Sequence, residues 1–291
     1  ITSGYLVSMS FIRRDNPVFF AAARALRIYP ALIVSVLFCA FVVGPVFTNL
    51  SLPEYFASGT VYEYIGVNSV LISEINQLRY YLPGVFESNP YATTVNGSLW
   101  TLPYEMWLYI LVLLGGTIGL LKSRKIFNGL FVLFLAIYLT GIFYFWDTTL
   151  MQRVYIYGKF SSLFLTGAFF YLNRESIPLN PYLFGLSLIV MYFFNGMEIY
   201  TPIYLFVLAY AVLWLAYVPA GFIRRFNNLG DYSYGMYIYA YPVEQGILAL
   251  APQSTPMTIT VLATVLTLIL AALSWHLVEE PSLKKKDIAS T

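Results

Sequence analysis

Apolar runs of roughly bilayer-crossing length follow one another along this chain, each carrying at most one Asp, Glu, Lys, Arg or His. No other feature limits the possible folds so strongly. A crossing helix needs roughly 20 mostly apolar residues, because no water reaches the hydrocarbon core and each backbone amide must find its partner inside its own segment. Spans are expected near Leu26 to Phe47, Leu99 to Leu121, Ile126 to Trp146, Tyr155 to Leu172, Pro178 to Met197, Tyr200 to Pro219, Tyr232 to Leu250 and Met257 to Val278. Ile1 to Phe11 reads as the tail of a further helix, giving nine spans with the first one partial. A tenth, upstream of Ile1, is expected if both termini lie on one side. The expected fold class is all-α: a polytopic membrane helix bundle, one domain over residues 1–291.

Composition excludes the alternatives. Of 291 residues 59% are hydrophobic and only 10% charged, against roughly 25% charged in a soluble domain. The net charge of +2 arises from short basic clusters between apolar runs rather than one basic face, so nucleic acid is not an expected partner. Cys39 is the single cysteine and His276 the single histidine, which excludes an intrachain disulfide and a multi-histidine metal site; no metal is expected.

The basic clusters set the orientation. Arg13, Arg14, Arg24 and Arg27, then Lys122, Arg124 and Lys125, then Arg174, Arg224 and Arg225, and Lys284 to Lys286 occupy alternate loops. The other loops hold only Arg79, Arg153 and, at an expected helix entrance, Lys159. By the positive-inside rule the basic side is cytoplasmic, and the C-terminus with it. The one long connection, residues 48–97, is then extracytoplasmic. It carries Glu54, Glu63, Glu74 and Glu87. Val61, Tyr64, Ile65, Leu71, Ile72, Ile75 and Leu78 recur in it at helical spacing, which predicts an amphipathic segment on the membrane surface. It serves as a spacer over the bundle or as a lid or acceptor platform.

Four places could carry chemistry. Arg24 and Arg27 are three apart on a helix entering the membrane and share a face. They are either positive-inside anchors or a pair of guanidinium forks for phosphate. Glu105 is a carboxylate inside an apolar run, at a cost on the order of 3 kcal/mol at mid-bilayer. Such a group faces the bundle interior, for function or for a hydrogen bond to a neighbouring helix. If its helix begins near Leu99, Glu105 lies roughly 9 Å from the outer end, a depth that Glu244 matches on an oppositely running helix. The two would line one outward-open cavity if their helices are neighbours. His276 reads as an interfacial histidine beside a carboxylate, with a catalytic base as the alternative.

Taken in order, Ser3-Gly4-Tyr5-Leu6, Arg24-x-x-Arg27 before Tyr29-Pro30, Asn96-Gly97-Ser98-Leu99-Trp100-Thr101-Leu102-Pro103-Tyr104-Glu105, Ser233-Tyr234-Gly235-Met236-Tyr237-Ile238-Tyr239 and Val278-Glu279-Glu280-Pro281 resemble the membrane-bound acyltransferase family 3, the O-acetyltransferases of bacterial surface glycans. The resemblance implies ten spans with cytoplasmic termini. It implies transfer of an acyl group, usually acetyl from cytoplasmic acetyl-CoA as co-substrate, to a sugar hydroxyl on lipopolysaccharide, exopolysaccharide or peptidoglycan at the bacterial inner membrane. No permanently bound cofactor is implied. By the resemblance Arg24 and Arg27 would hold the phosphates of CoA, and the stretch Asn96 to Glu105 would shape the acyl-transfer or acceptor cavity, with no residue of this chain in the place of the family's base. Glu105, from its place in an apolar run, is the candidate catalytic residue, and Asn96, Trp100, Tyr237 and Glu244 are the candidate acceptor contacts. The family's histidine of the first span has no counterpart in this chain, and Ala240 stands where many members have a second histidine. The rival from another class is a transporter or flippase of a lipid-linked glycan or acyl donor, since intramembrane Glu also suits proton coupling. It predicts two similar halves, whereas the Arg-x-x-Arg and Asn-Gly-Ser-Leu-Trp motifs each occur once.

Overall fold

A computed structural model describes residues 1–71, 80–197, 200–219 and 230–285, with the side chains of Gln152 and Arg153 excepted. Arg79, Arg224, Arg225 and Lys286 of the orientation pattern lie outside the described residues, as do Glu74, Ile72, Ile75 and Leu78 of the long connection. Every apolar run is helical: α1 (Thr2–Arg14), α2 (Pro17–Phe38), α3 (Gly44–Phe47), α4 (Leu52–Ala57), α5 (Gly59–Val70), α6 (Leu102–Thr117), α7 (Arg124–Tyr144), α8 (Thr149–Leu172), α9 (Pro181–Phe193), α10 (Tyr200–Tyr217), α11 (Ser233–Leu250), α12 (Pro256–Ser274) and α13 (Glu280–Lys284). Among the described residues no strand forms, only an isolated bridge between Thr48 and Val85. The all-α expectation holds.

Among the described residues five continuous helical segments are long and apolar enough to cross a membrane: Pro17–Phe47, Gly97–Thr117, Arg124–Tyr144, Tyr200–Tyr217 and Pro256–Lys284. Pro181–Phe193 is a shorter apolar helix. Two of the five contain a π-turn, Cys39–Val43 after α2 and Trp275–Glu279 after α12, a feature that is frequent at functional sites.

Helix starts follow local capping chemistry. The Ser123, Thr148, Asn180 and Thr255 side chains each accept a backbone N–H from the first turn of α7, α8, α9 and α12, satisfying donors that have no intrahelical partner. At α4, Ser51 and Glu54 form a reciprocal capping box. The Ser51 hydroxyl, and then its N–H, hold the exposed Glu54 carboxyl below the ordinary carboxylate range. Thr148 moves the start of α8 six residues ahead of the Tyr155 expected from the apolar run. Lys159 is therefore no entrance residue: ten residues of helix, about 15 Å, separate it from Thr149.

The chain forms two compact units. The first comprises Ile1–Phe20 and Trp107–Phe226. Within it α1 lies on α8 at such close range that a methyl group on Gly4 would meet the Phe164 carbonyl oxygen at 1.9 Å. Small residues at that contact let two apolar helices approach closely, the usual source of helix association where no water remains to be expelled. Asn128 and Asn173 exchange side-chain hydrogen bonds at 3.0 Å, and Arg124 donates to Asn173 at 2.6 Å. A cluster of Phe170, Ala209, Tyr210 and Leu213 packs below them, with the Tyr210 hydroxyl bonded to Pro178 and Asn180.

The second unit comprises Ala21–Met106 and Asn227–Thr291. In it α11 and α12 pack along their length, and a methyl on Gly235 would lie 2.7 Å from the Ala271 Cα. On its other side α11 runs parallel to α2: Tyr234 Oη donates to the Ile28 carbonyl at 3.1 Å, and Ser35 Oγ to the Ile238 carbonyl at 3.2 Å.

The long connection departs from the surface-lying helix expected of it. Tyr55 donates to the Ala40 carbonyl at 2.8 Å, and Tyr29 donates to the Val70 carbonyl at 3.3 Å. Segment 55–70 thus descends beside α2 through about eleven residues of that helix, roughly 16 Å. Val61, Tyr64 and Asn68 form its buried face. The periodicity was that of a helix with one buried side, and the surface it covers is α2 rather than lipid. The chain then caps the end of the unit, where Thr48 Oγ1 donates to the Pro83 carbonyl and Asn49 to Glu87, both at 2.7 Å.

Candidate active site

Polar groups in the second unit line up along α11, and their order fixes the depth of each predicted site residue. At the start of α11, Asp231 Oδ1 accepts the Ser233 N–H at 3.3 Å. Its other oxygen takes Arg27 at 2.6 Å. Arg27 also reaches Glu279 at 3.5 Å, and Glu279, 1% exposed, accepts the Ser274 hydroxyl at 2.9 Å. The Arg27 guanidinium lies against the Trp275 and Tyr234 rings, 5.7 and 6.0 Å from their centroids. This dense charge cluster sits where α12 passes into its π-turn. The wider helical turn brings Ser274 and Glu279 to one place, five residues apart.

One turn farther along α11, the Tyr237 hydroxyl donates to the Ser98 carbonyl and shares a short hydrogen bond with Thr101 Oγ1. Glu105 lies within electrostatic reach of the same phenol, and so do Tyr80 and Tyr104 at one remove. Glu105 is half-buried and in contact with its surroundings. Asn96 is buried, 1% exposed: its Nδ2 donates to the Ile238 carbonyl at 2.9 Å, and its Oδ1 caps the 3-10 turn Gly97–Thr101 by accepting the Ser98 N–H. Its amide is thereby spent on positioning that turn. Trp100 is largely exposed and stacks edge-on with Tyr104 at 6.1 Å.

Two turns beyond Tyr237 lies Glu244, exposed and beside Tyr241. The expected match in depth between Glu105 and Glu244 does not hold. Gly97, eight residues before Glu105, is already level with the Tyr241 ring, 2.8 Å from where its side chain would begin. From there α6 continues toward Tyr237. Seven residues of α11, roughly 10 Å, separate Tyr237 from Glu244. The reason is that α6 does not start at the outer end: the connection re-enters, and Asn96 anchors the start of the 3-10 turn at the level of Ile238. Glu105 therefore belongs with the Arg27 end of α11.

Sequence reasoning missed three members of this tract. Glu279 stands in the sequence reading only as part of the Val278 to Pro281 motif, and Asp231 and Gln245 have no site role there. Gln245 is 2% exposed and accepts from Asn89 Nδ2 at 2.9 Å, while its Nε2 donates to the Tyr91 and Thr94 carbonyls, each at 2.8 Å. It ties residues 89–94 to α11. A buried amide in an apolar helix is the signal that marks it. His276 is exposed, 3.1 Å from the Tyr232 hydroxyl and 3.7 Å from Glu280.

A family model described as an acyltransferase domain matches residues 1–276. The chain belongs to that acyltransferase family. It is similar to an O-acetyl transferase of Shigella phage Sf6, 30% identical over 285 residues that cover 96% of this chain and 81% of the relative. It is also similar to Nodulation protein 10 of Rhizobium leguminosarum bv. viciae, 25% identical over 306 residues, 98% of this chain and 80% of that one. No solved structure matches significantly. This acyltransferase is an integral membrane protein, by its long apolar helices and its family. Its motif residues Arg27, Ser98, Thr101, Tyr237 and Glu279 fall on one tract inside one compact unit.

Proposed function

We propose that this acyltransferase moves an acetyl group from cytoplasmic acetyl-CoA to a hydroxyl of a lipid-linked or cell-surface polysaccharide at the bacterial inner membrane. The observation that carries the reading is the position of Glu105 beside Tyr237, one turn of α11 from the Arg27 cluster. An intramembrane carboxylate beside a phenol and one helical turn from the Arg27 guanidinium is what acyl transfer from a phosphorylated thioester carrier calls for. Arg24 and Arg27 hold phosphate oxygens at the donor mouth through charge-assisted bonds. Glu105 accepts the proton of the attacking sugar hydroxyl as its oxygen bonds to the thioester carbon, the C–S bond breaks, and the departing CoA thiolate takes that proton back from Glu105. Tyr237 and Thr101, whose hydroxyl protons go to the Ser98 carbonyl and to the Tyr237 oxygen, fix the turn from which the Glu105 helix starts. With Glu105 near the arginine end, the acceptor hydroxyl must come down to the donor. Residues 48–97 then serve as the collar of the acceptor path on the extracytoplasmic side, and the C-terminus is cytoplasmic. The name of the Shigella phage relative supports O-acetyl transfer.

The test is acetyl transfer from radiolabelled acetyl-CoA to membrane glycan by Glu105→Gln, which keeps size and most hydrogen bonding but removes the proton acceptor. Loss of transfer by 100-fold or more with normal expression and normal donor binding is expected. Retained transfer overturns the role of Glu105. A labelled acceptor that never appears, even with the unaltered protein, overturns the reaction.

A further inference from the structure

Lys159 is the feature that the acyl-transfer tract does not use. It stands in the third turn of α8, about 15 Å from Thr149 and about 20 Å from Leu172 by helical rise, in the unit formed by Ile1–Phe20 and Trp107–Phe226. Among the described residues no carboxylate pairs with its ammonium. Lys159 is exposed, and a cation with no carboxylate partner among the described residues, midway along a helix of 24 residues, marks a candidate site for a charged ligand. Lys159 lines a cavity of about 390 Å³ between α7, α8 and α10. Tyr155, Thr201 and Tyr204 bring hydroxyls to the same cavity and Trp146 brings a ring, set edge-on against Tyr155 at 4.9 Å. A compact ammonium among hydroxyls suits phosphate as a point-charge partner.

The second observation lies on the far side of Tyr138. That ring lines the cation cavity and also a larger, apolar groove of about 880 Å³ between α7 and α8, walled by Phe134, Phe145, Leu150, Val154 and Tyr157. Its volume is at the upper end of the roughly 300–1,000 Å³ of sites that hold a small organic ligand. A cationic cavity and an apolar groove sharing one wall are complementary to an amphiphile with an anionic head and a hydrocarbon tail.

We propose that Lys159 and its cavity bind the phosphate of a membrane lipid whose chain occupies the apolar groove, and that this lipid is the carrier of the acceptor glycan. The second half rests on the function proposed above; the binding does not. A cavity of 390 Å³ accepts a phosphate and a sugar ring and leaves the remainder of a glycan outside it.

The test uses the purified full chain in nanodiscs without acetyl-CoA, with farnesyl phosphate as probe and farnesol and inorganic phosphate as controls. Farnesyl phosphate should bind at least tenfold more tightly than either control. Lys159→Gln should weaken it at least tenfold, and Lys159→Arg should stay within threefold of the unaltered protein. A diazirine analogue of farnesyl phosphate should crosslink to residues 134–163 of the unaltered protein, a readout independent of how the variants fold. Unchanged affinity in Lys159→Gln, crosslinks elsewhere only, or inorganic phosphate binding as tightly as the lipid would each overturn the site. Since no acyl transfer is needed for binding, a failure of the acetylation reaction leaves this result standing. In membranes, Lys159→Gln should raise the KM for acceptor with kcat and acetyl-CoA affinity unchanged; a fall in kcat alone would overturn the acceptor assignment.

Discussion

Arg27 stands at the junction of two demands, since it holds Glu279 and Asp231 in the folded protein and is also the residue proposed to meet the donor phosphates. A double-mutant cycle separates them. In Arg27→Gln the Glu279 carboxylate, 1% exposed, keeps the Ser274 hydroxyl at 2.9 Å but loses its cation. Removing one partner of a buried pair costs about 3–5 kcal/mol, because the other is left charged and dry. In Glu279→Gln the guanidinium keeps Asp231 at 2.6 Å, and that side is partly solvated, with Asp231 52% exposed. Its loss is smaller, about 1.5–3 kcal/mol for a charge-assisted bond. The double variant Arg27→Gln/Glu279→Gln buries no unpaired charge and should recover about 1.5–3 kcal/mol relative to the sum of the singles. Unfolding by SDS titration in mixed micelles, followed by circular dichroism, measures each corner. Additivity within about 0.5 kcal/mol would refute the claim that Arg27 compensates Glu279. The double variant also tests the donor role apart from stability: it should fold well and bind acetyl-CoA weakly. Full donor affinity there would make Arg27 structural only.

Gln245→Leu removes the bonds to Asn89, Tyr91 and Thr94 and should lower stability by about 1–3 kcal/mol through the buried groups it orphans; the same SDS titration reads this, and an unchanged midpoint would contradict the burial of that network. Single cysteines at Ser88 and at Lys125, in a Cys39→Ala background, should react with an impermeant maleimide from outside cells at Ser88 only; labelling at Lys125 alone would reverse the proposed orientation. The Glu54 carboxyl is held low by Ser51, so the Ser51–Glu54 cap should be present above the ordinary carboxylate value and lost as pH falls through its lowered one. Hydrogen exchange at the first turn of α4 should accelerate in that acid range and at all pH values in Glu54→Gln; a flat profile would contradict it.

Helix identity was legible in the sequence because a bilayer leaves the backbone one economical choice. Apolar length alone located every helix from α6 to α12 to within a few residues, except where Thr148 started α8 early. Motif order identified the family for the same local reason, since each motif is a short run of neighbours. Depth was not legible. The estimate that put Glu105 near the outer end assumed that its helix begins at the membrane boundary. Re-entry of residues 55–70 beside α2, together with the Asn96 bond to Ile238, moved that start inward. Partner choice was equally hidden. Arg27, Asp231 and Glu279 are separated by 204 and 252 positions along the chain, and periodicity within a helix says which residues share a face but not which face of another helix they meet. The same holds for Lys159, whose neighbours in its cavity and across the Tyr138 wall exist only once α7, α8 and α10 have packed. Sequence determined which segments are helices and which residues are too polar for their surroundings. Tertiary packing decided what those polar residues face, because a contact between helices depends on rotation and depth, and neither is encoded within a single apolar run.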